Sequence, residues 1–206
     1  MTQFSVVGRP RSVDADERIM RAALDLYGEA GWYGFNLTNV AKRAGVGKST
    51  MYARWNCRGR LLIDSFNQFI ELPPITGTTV RQILRDEVIY RLGLYFGEHS
   101  KAIRRILVEM NTENEPALIE IYNAHVLYPI RAVRDRLWIL KNEGDLSSHI
   151  SVTRLLDAIE GSTLMRALTL HPDNIECFKT EFAEYADDLV DDQLYVIHHS
   201  SDLRLA

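Results

Sequence analysis

The 206-residue chain, 46% hydrophobic and 25% charged, has the composition of a soluble globular protein and enough material for one medium domain, or a small domain fused to a larger one. No apolar run is long enough to span a bilayer, residues 1–12 contain no apolar signal core, and Cys57 and Cys177 stand far apart, which argues against membrane insertion and a disulfide framework and makes the cytoplasm the expected location. The net charge of −4 divides into +5 over residues 1–60 and −9 over the remainder, the asymmetry expected of a protein in which only a basic head meets phosphate.

Residues 1–13 read as an arm. Arg9 and Arg11 flank Pro10, which keeps the backbone extended, so the arm either lies in a DNA minor groove or is an untethered tail. Asp14 with Glu17 three residues later resembles a capping pair and opens a first helix. Ile19, Ala22, Ala23, Leu26, Tyr27 and Ala30 repeat along it at the helical period until Gly31, and Trp32 and Phe35 are expected to complete the core beneath the head.

Residues 36–61 carry the most informative pattern. Asn36 is placed to cap a helix starting at Leu37, on which Leu37, Val40, Ala41 and Ala44 share one face, and Gly45 suits its left-handed end. A second short helix is expected over 48–55. Its Met51 and Trp55 point inward, while Lys48, Ser49, Thr50, Tyr52 and Arg54 occupy the other faces, the polarity of a helix-turn-helix. The letters Gly45-Val46-Gly47-Lys48-Ser49 also permit a second reading, a phosphate-binding loop of a nucleotide-using enzyme. That motif needs a glycine where Lys42 stands and a β-strand upstream, where the spacing is helical.

A fourth helix is expected over 58–72, halted by Pro73-Pro74, with Leu61, Leu62, Ser65, Phe66, Phe69 and Ile70 connecting head to body. Further helical patterns cover 79–99, 101–110 and 116–142, the last with a kink expected at Pro129. Val152, Leu155, Leu156, Ile159, Thr163, Ala167 and Leu170 form one stripe ended by His171-Pro172, and Phe178, Phe182, Tyr185, Leu189 and Tyr195 mark a last helix. The expected fold is all-α with about nine helices: a three-helix DNA-binding head over 1–60 and a helical ligand-binding and dimerisation body over 61–206. The six histidines lack metal-ligand spacing and no Gly-x-Ser-x-Gly elbow occurs, so no metal, cofactor or catalytic residue is expected, and the chain does not read as an enzyme.

Residues 9 to about 66 resemble the DNA-binding domain of the tetracycline-repressor (TetR) family of bacterial transcriptional regulators. The resemblance is carried by the GRPR arm, the ERIMRAALDLYGEAGW helix, LTNVAKRAGV, GKSTMYARW, and Cys57, Arg58 and Leu61 at the start of the fourth helix. Gly47 and Cys57 stand where the family has serine, and Asn36 where it has threonine, so two helix caps are expected to be weaker. The resemblance implies a homodimer on a palindromic double-stranded operator, released by a small-molecule effector. A ligand-independent regulator or an activator would share the same head.

The DNA-facing residues are then Arg9 and Arg11 in the arm, Asn39 and Arg43 on the first helix of the pair, Lys48, Ser49, Thr50, Tyr52 and Arg54 on the second, and Arg58, which keeps a phosphate-facing charge where the family has lysine. Phe66, Tyr95, His99, Met110, Tyr122, His125 and Trp138 are the candidate effector-pocket residues, though for each of them core packing is the favoured reading, because aromatics at helical spacing usually fill interiors. Leu155, Ile159, Thr163, Phe178, Phe182, Tyr185 and Leu189 are the candidate dimer contacts, because two apolar terminal helices need a partner surface.

Overall fold

A computed structural model describes residues 13–73, 75–110 and 114–199; among them every regular element is helical. The arm with Arg9 and Arg11, and Pro74 of the expected helix stop, lie outside the described residues. Helix α1 (Val13–Gly34) buries Ile19, Ala22, Ala23, Leu26 and Tyr27. It breaks at Gly31 (φ 65°, ψ −175°), where the sequence pattern ends it, but resumes for one further turn. Helix α2 (Leu37–Ala44) is capped as expected. The Asn36 side chain accepts the Asn39 N–H at 2.9 Å, and Gly45 (φ 67°, ψ 34°) donates its own N–H back to Ala41 and Lys42.

Helix α3 (Lys48–Tyr52) starts where expected, though Gly47 gives it no side-chain cap, and is shorter than expected because Ala53 and Arg54 form a turn that drops Trp55 into the core. Helix α4 (Arg58–Phe69) likewise lacks a side-chain cap at Cys57. It ends before the prolines because Ile70 takes extended backbone (φ −106°, ψ 96°) and is buried.

The body begins with α5 (Val80–Phe96), opened by a reciprocal capping box between Thr79 and Gln82, and continues with α6 (Ser100–Glu109). The helix expected over 116–142 is not simply kinked at Pro129. It consists of α7 (Pro116–Tyr122), a π-helical turn (Asn123–Leu127) and α8 (Tyr128–Glu143). A proline has no N–H and its ring crowds the carbonyl four residues back, and the widened turn, with Tyr128 N–H bonded to the Asn123 carbonyl, relieves both problems while keeping the rod continuous.

Helix α9 (Val152–Thr169) precedes a 3-10 turn (Pro172–Asn174), and the last expected helix is divided at Glu181 into α10 (Ile175–Thr180) and α11 (Phe182–His199). Among the described residues, nine rods result when α7–α8 and α10–α11 are each taken as one.

Helix α1 packs against α2 and α4 within the head and against α6 of the body, while α5 lies at the centre of the body against α6, α8, α9 and α11. The buried residues form one continuous apolar cluster from Ile19 to Val190. Rings of Phe96, Phe178, Phe182 and Tyr185 fasten α5 to α10 and α11, with the Phe178–Tyr185 centroids 5.2 Å apart at near-perpendicular planes.

Between α5 and α9 the buried Arg91 serves two carboxylates, donating from Nε to Glu87 at 2.7 Å and lying 3.1 Å from Glu160. Burial pushes the Glu160 carboxyl up to about 8; Arg91 opposes the rise and Glu87 adds to it. A folded pKa above the ordinary 4.5 means that the folded state holds a proton the unfolded state releases. The stability this contributes is complete below about 4.5 and is lost as pH rises to about 8. Glu160→Gln is expected to remove that slope. Urea unfolding at pH 5 and pH 8.5 should show the wild type losing more stability across the interval than the variant.

Candidate nucleic-acid interface

Helix α3 is held from behind by apolar burial: Met51 is fully buried, and Trp55 is nearly so, with its Nε1–H donating to Asp64 at 2.9 Å. Lys48, Ser49 and Tyr52 are consequently exposed and Thr50 half-buried, on a side of α3 that nothing else in the described chain covers. Asn39 and Arg43 are exposed on α2. Lys42, which the sequence reading did not single out, is exposed beside them, three residues from Asn39 and therefore on the same face.

Neither Lys42 nor Lys48 has a carboxylate within 4.0 Å among the described residues, which leaves two ammonium groups available to phosphate. Arg43 bonds Glu29 at 2.6 Å at the surface, and the guanidinium holds the Glu29 carboxyl below its usual range. A bond in that setting is weak enough to exchange for a phosphate.

Two arginines are placed differently from the sequence reading. Arg54 turns inward, where its guanidinium pairs with Asp16 of α1 and donates to the Thr50 carbonyl at 3.3 Å. Arg58 donates to the carbonyls of Trp32 (2.9 Å) and Phe35 (3.0 Å) and stacks 4.0 Å over the Trp32 ring. Both charges are committed to holding α3 and α4 against α1. The segment from Gly45 to Ser49 is the turn of a helix-turn-helix, preceded by α2, so the β-strand that a phosphate-binding loop requires is replaced by a helix.

In the body, the seven pocket candidates do not converge. Phe66 and His125 are buried against each other with ring centroids 5.7 Å apart, and His125 Nε2 lies 3.0 Å from Asn67 Oδ1. Burial lowers the His125 pKa, so the ring is neutral at neutral pH. Tyr95 is buried, Met110 and Tyr122 are half-buried, and Trp138 is 43% exposed with the Lys141 ammonium 5.0 Å from its ring centre. His99 borders a cavity of about 190 Å³ between α4 and α5.

A larger groove of about 1220 Å³ runs between the α4–α5 connection and the α7–α8 rod, and none of the seven lines it. Leu72, Pro116, Ile119, Ala124 and Tyr128 give it apolar walls, and Asn114, Glu120, Asn123 and Arg131 are its polar groups. Arg131 has no carboxylate within 4.0 Å among the described residues.

The dimer candidates need a similar correction. Leu155, Ile159, Thr163 and Phe178 are buried within a single protomer, where α9 and α10 face α5 and α11; Phe182, Tyr185 and Leu189 are half-buried. The apolar surface left open on the same helices is Met165 (58% exposed), Leu168 (59%), Tyr195 (65%) and Val196 (53%). Helical spacing identified the stripe that packs hardest, and α5 of the same chain occupies that stripe.

A buried-backed recognition helix set by a tight turn across a small-residue helix, mounted on an all-helical body, defines a helix-turn-helix transcriptional regulator. Residues 19–62 match the family model described as bacterial regulatory proteins, tetR family. The chain is 27% identical over 166 residues to the HTH-type transcriptional regulator YdeS of Bacillus subtilis, covering 78% of this chain and 82% of that one. It is also 27% identical over 168 residues to the HTH-type regulator Rv1556 of Mycobacterium tuberculosis, covering 74% and 76%.

Among solved structures, the fold is similar to the transcriptional regulator FadR of Bacillus subtilis in complex with stearoyl-CoA (TM-score 0.62, 19% identity, 85% of this chain and 96% of that one). It is also similar to TylP, a TetR regulator from Streptomyces fradiae (TM-score 0.59, 20% identity, 90% and 87%). Residues 19–62 thus match the DNA-binding part of the tetR family, and the chain as a whole is similar to DNA-binding transcriptional regulators. Among the described residues no helix is long and apolar enough to cross a membrane.

Proposed function

We propose that the chain is a cytoplasmic homodimeric repressor that occupies a palindromic operator and leaves it when a small amphipathic molecule enters the groove between α4 and α7–α8. The observation that carries the reading is the exposed face of α3, Lys48, Ser49, Thr50 and Tyr52, backed by the buried Met51 and Trp55. Donors and hydroxyls on a rigidly seated short helix suit the major groove, and Asn39, Lys42 and Arg43 suit the flanking phosphates. Arg9 and Arg11, flanking Pro10 in the sequence, supply charges of the kind that suit a minor groove. Residues 1–60 act as the reading head and 61–206 as the responding body.

Dimerisation fits the four outward apolar side chains on α9 and α11, which would otherwise face water on adjacent helices. Two heads held by such an interface read successive major grooves about 34–36 Å apart. Leu168→Asp is expected to shift the protein to monomer in sedimentation at micromolar concentration while leaving its helix content intact, because Leu168 contributes no core contact. A dimer unaffected by Leu168→Asp and by Met165→Asp together would remove α9 from the interface.

The effector reading rests on the shape and chemistry of the groove: an apolar wall beside Arg131, which has no carboxylate within 4.0 Å among the described residues, suits a chain-like molecule with an anionic end. The fold's similarity to a regulator that binds stearoyl-CoA supports that class. Titration of long-chain acyl-CoA into the protein–DNA complex is expected to release DNA, with the half-point raised about tenfold or more by Arg131→Ala, the loss of one charge-assisted contact. Transcription measured with and without the protein distinguishes repression from activation.

A further inference from the structure

Body and head meet along α1 and α6, and the two helices approach so closely that a side chain at Gly28 would come within 2.8 Å of Lys101 Cβ. One turn later α1 breaks at Gly31, which frees the following amide from its helical partner. That amide, Trp32 N–H, donates to the two carboxylate oxygens of Glu109 at 3.2 and 3.1 Å. Glu109 is the last residue of α6 and its side chain is only 14% exposed.

A Cβ at position 31 would collide with this carboxylate, so glycine there serves both the positive φ and the close approach. The other end of the same residue is held too, because the Trp32 carbonyl accepts from Arg58, which also binds the Phe35 carbonyl. The next residue, Asn36, caps α2. The end of a body helix is thus linked to the cap of the DNA-facing helix pair through a few backbone groups.

We infer that Glu109 is a positioning residue for the reading head: its carboxylate grips the Trp32 peptide and sets the tilt of α2 and α3 on the body. Arg105 also lies near the carboxylate, its Nε 3.9 Å away and its Nη2 donating to the Glu29 carbonyl at 3.4 Å. Removing the charge and removing the reach must therefore be separated.

The protein's own cysteines provide the probe sites: Cys57 in the head and Cys177 in the body are both free and exposed, and the Cys57 side chain makes no cap bond. Spin labels on the two are expected to give a narrow distance distribution in the wild type. Glu109→Asp keeps the charge but withdraws the carboxylate by one methylene. It should broaden the distribution at least about twofold and speed Trp32 amide exchange about tenfold, while circular dichroism stays unchanged. Glu109→Gln keeps an acceptor at full reach and should resemble the wild type in both readouts. Wild-type behaviour of Glu109→Asp, or a Glu109→Gln variant as loose as Glu109→Asp, would overturn the assignment, the latter by tracing the effect to Arg105.

Discussion

Lys48→Ala and Tyr52→Ala are each expected to weaken DNA binding about tenfold to a hundredfold with no loss of thermal stability. Both side chains are exposed, Lys48 has no carboxylate partner among the described residues, and the residues that seat α3, Met51 and Trp55, are untouched by either change. A cation on phosphate contributes a counterion-release term, so Lys48→Ala should also reduce the slope of log affinity against log salt by about one. Tyr52→Ala should leave the slope nearly unchanged, since a phenol releases no counterion. Arg54→Ala provides the contrast. Its guanidinium is paired with Asp16 under partial burial, so its loss should lower the melting temperature of the head as well as DNA affinity. Fluorescence anisotropy across a salt series, beside thermal melts, measures all three.

The second large effect lies far from DNA. Arg91→Ala is expected to destabilise the fold by about 3–5 kcal/mol, because it leaves the buried Glu87 carboxylate, with the half-buried Glu160 beside it, without a cation between α5 and α9. Glu160 already holds a proton below about pH 8, so combining Arg91→Ala with Glu160→Gln should recover little at pH 7 and more as pH rises past about 8. The double variant should also be less sensitive to pH between about 4.5 and 8, the interval over which Glu160 titrates in the wild type. Denaturant unfolding at two pH values separates these contributions. Because α9 also carries the outward-facing Met165 and Leu168, the single variant should weaken the proposed dimer as well as the fold.

What could be read in the sequence was whatever is decided locally. Asn36 and Gly45 bracket α2 through bonds spanning three or four residues, and both ends are where the sequence places them. Met51 and Trp55 are buried and Lys48 and Tyr52 exposed because period and polarity decide together. The partners of Arg54 and Arg58 are 38 and 26 residues away, and a cation in a recognition segment looks the same whether it faces phosphate or a backbone carbonyl.

The body follows the same rule. Periodicity identified Leu155 and Ile159 as the strongest apolar positions on α9, but only packing shows that α5 of the same chain covers them. The groove was hidden for a related reason: Leu72 and Tyr128 lie far apart in sequence and meet only when the α4–α5 connection crosses the α7–α8 rod. Its π-helical side, Asn123 and Ala124, results from a turn widened to accommodate Pro129, which the sequence pattern could signal only as a kink.

The central claim is that α3 reads DNA. Its most direct test is binding of the purified protein to the duplex upstream of its own gene, measured across a salt series against a shuffled duplex of equal length. The account predicts saturable binding that favours the native duplex, falls steeply with salt and is weakened by Lys48→Ala and Tyr52→Ala with the fold intact. Equal binding to the shuffled duplex, or undiminished binding by both variants, would contradict it.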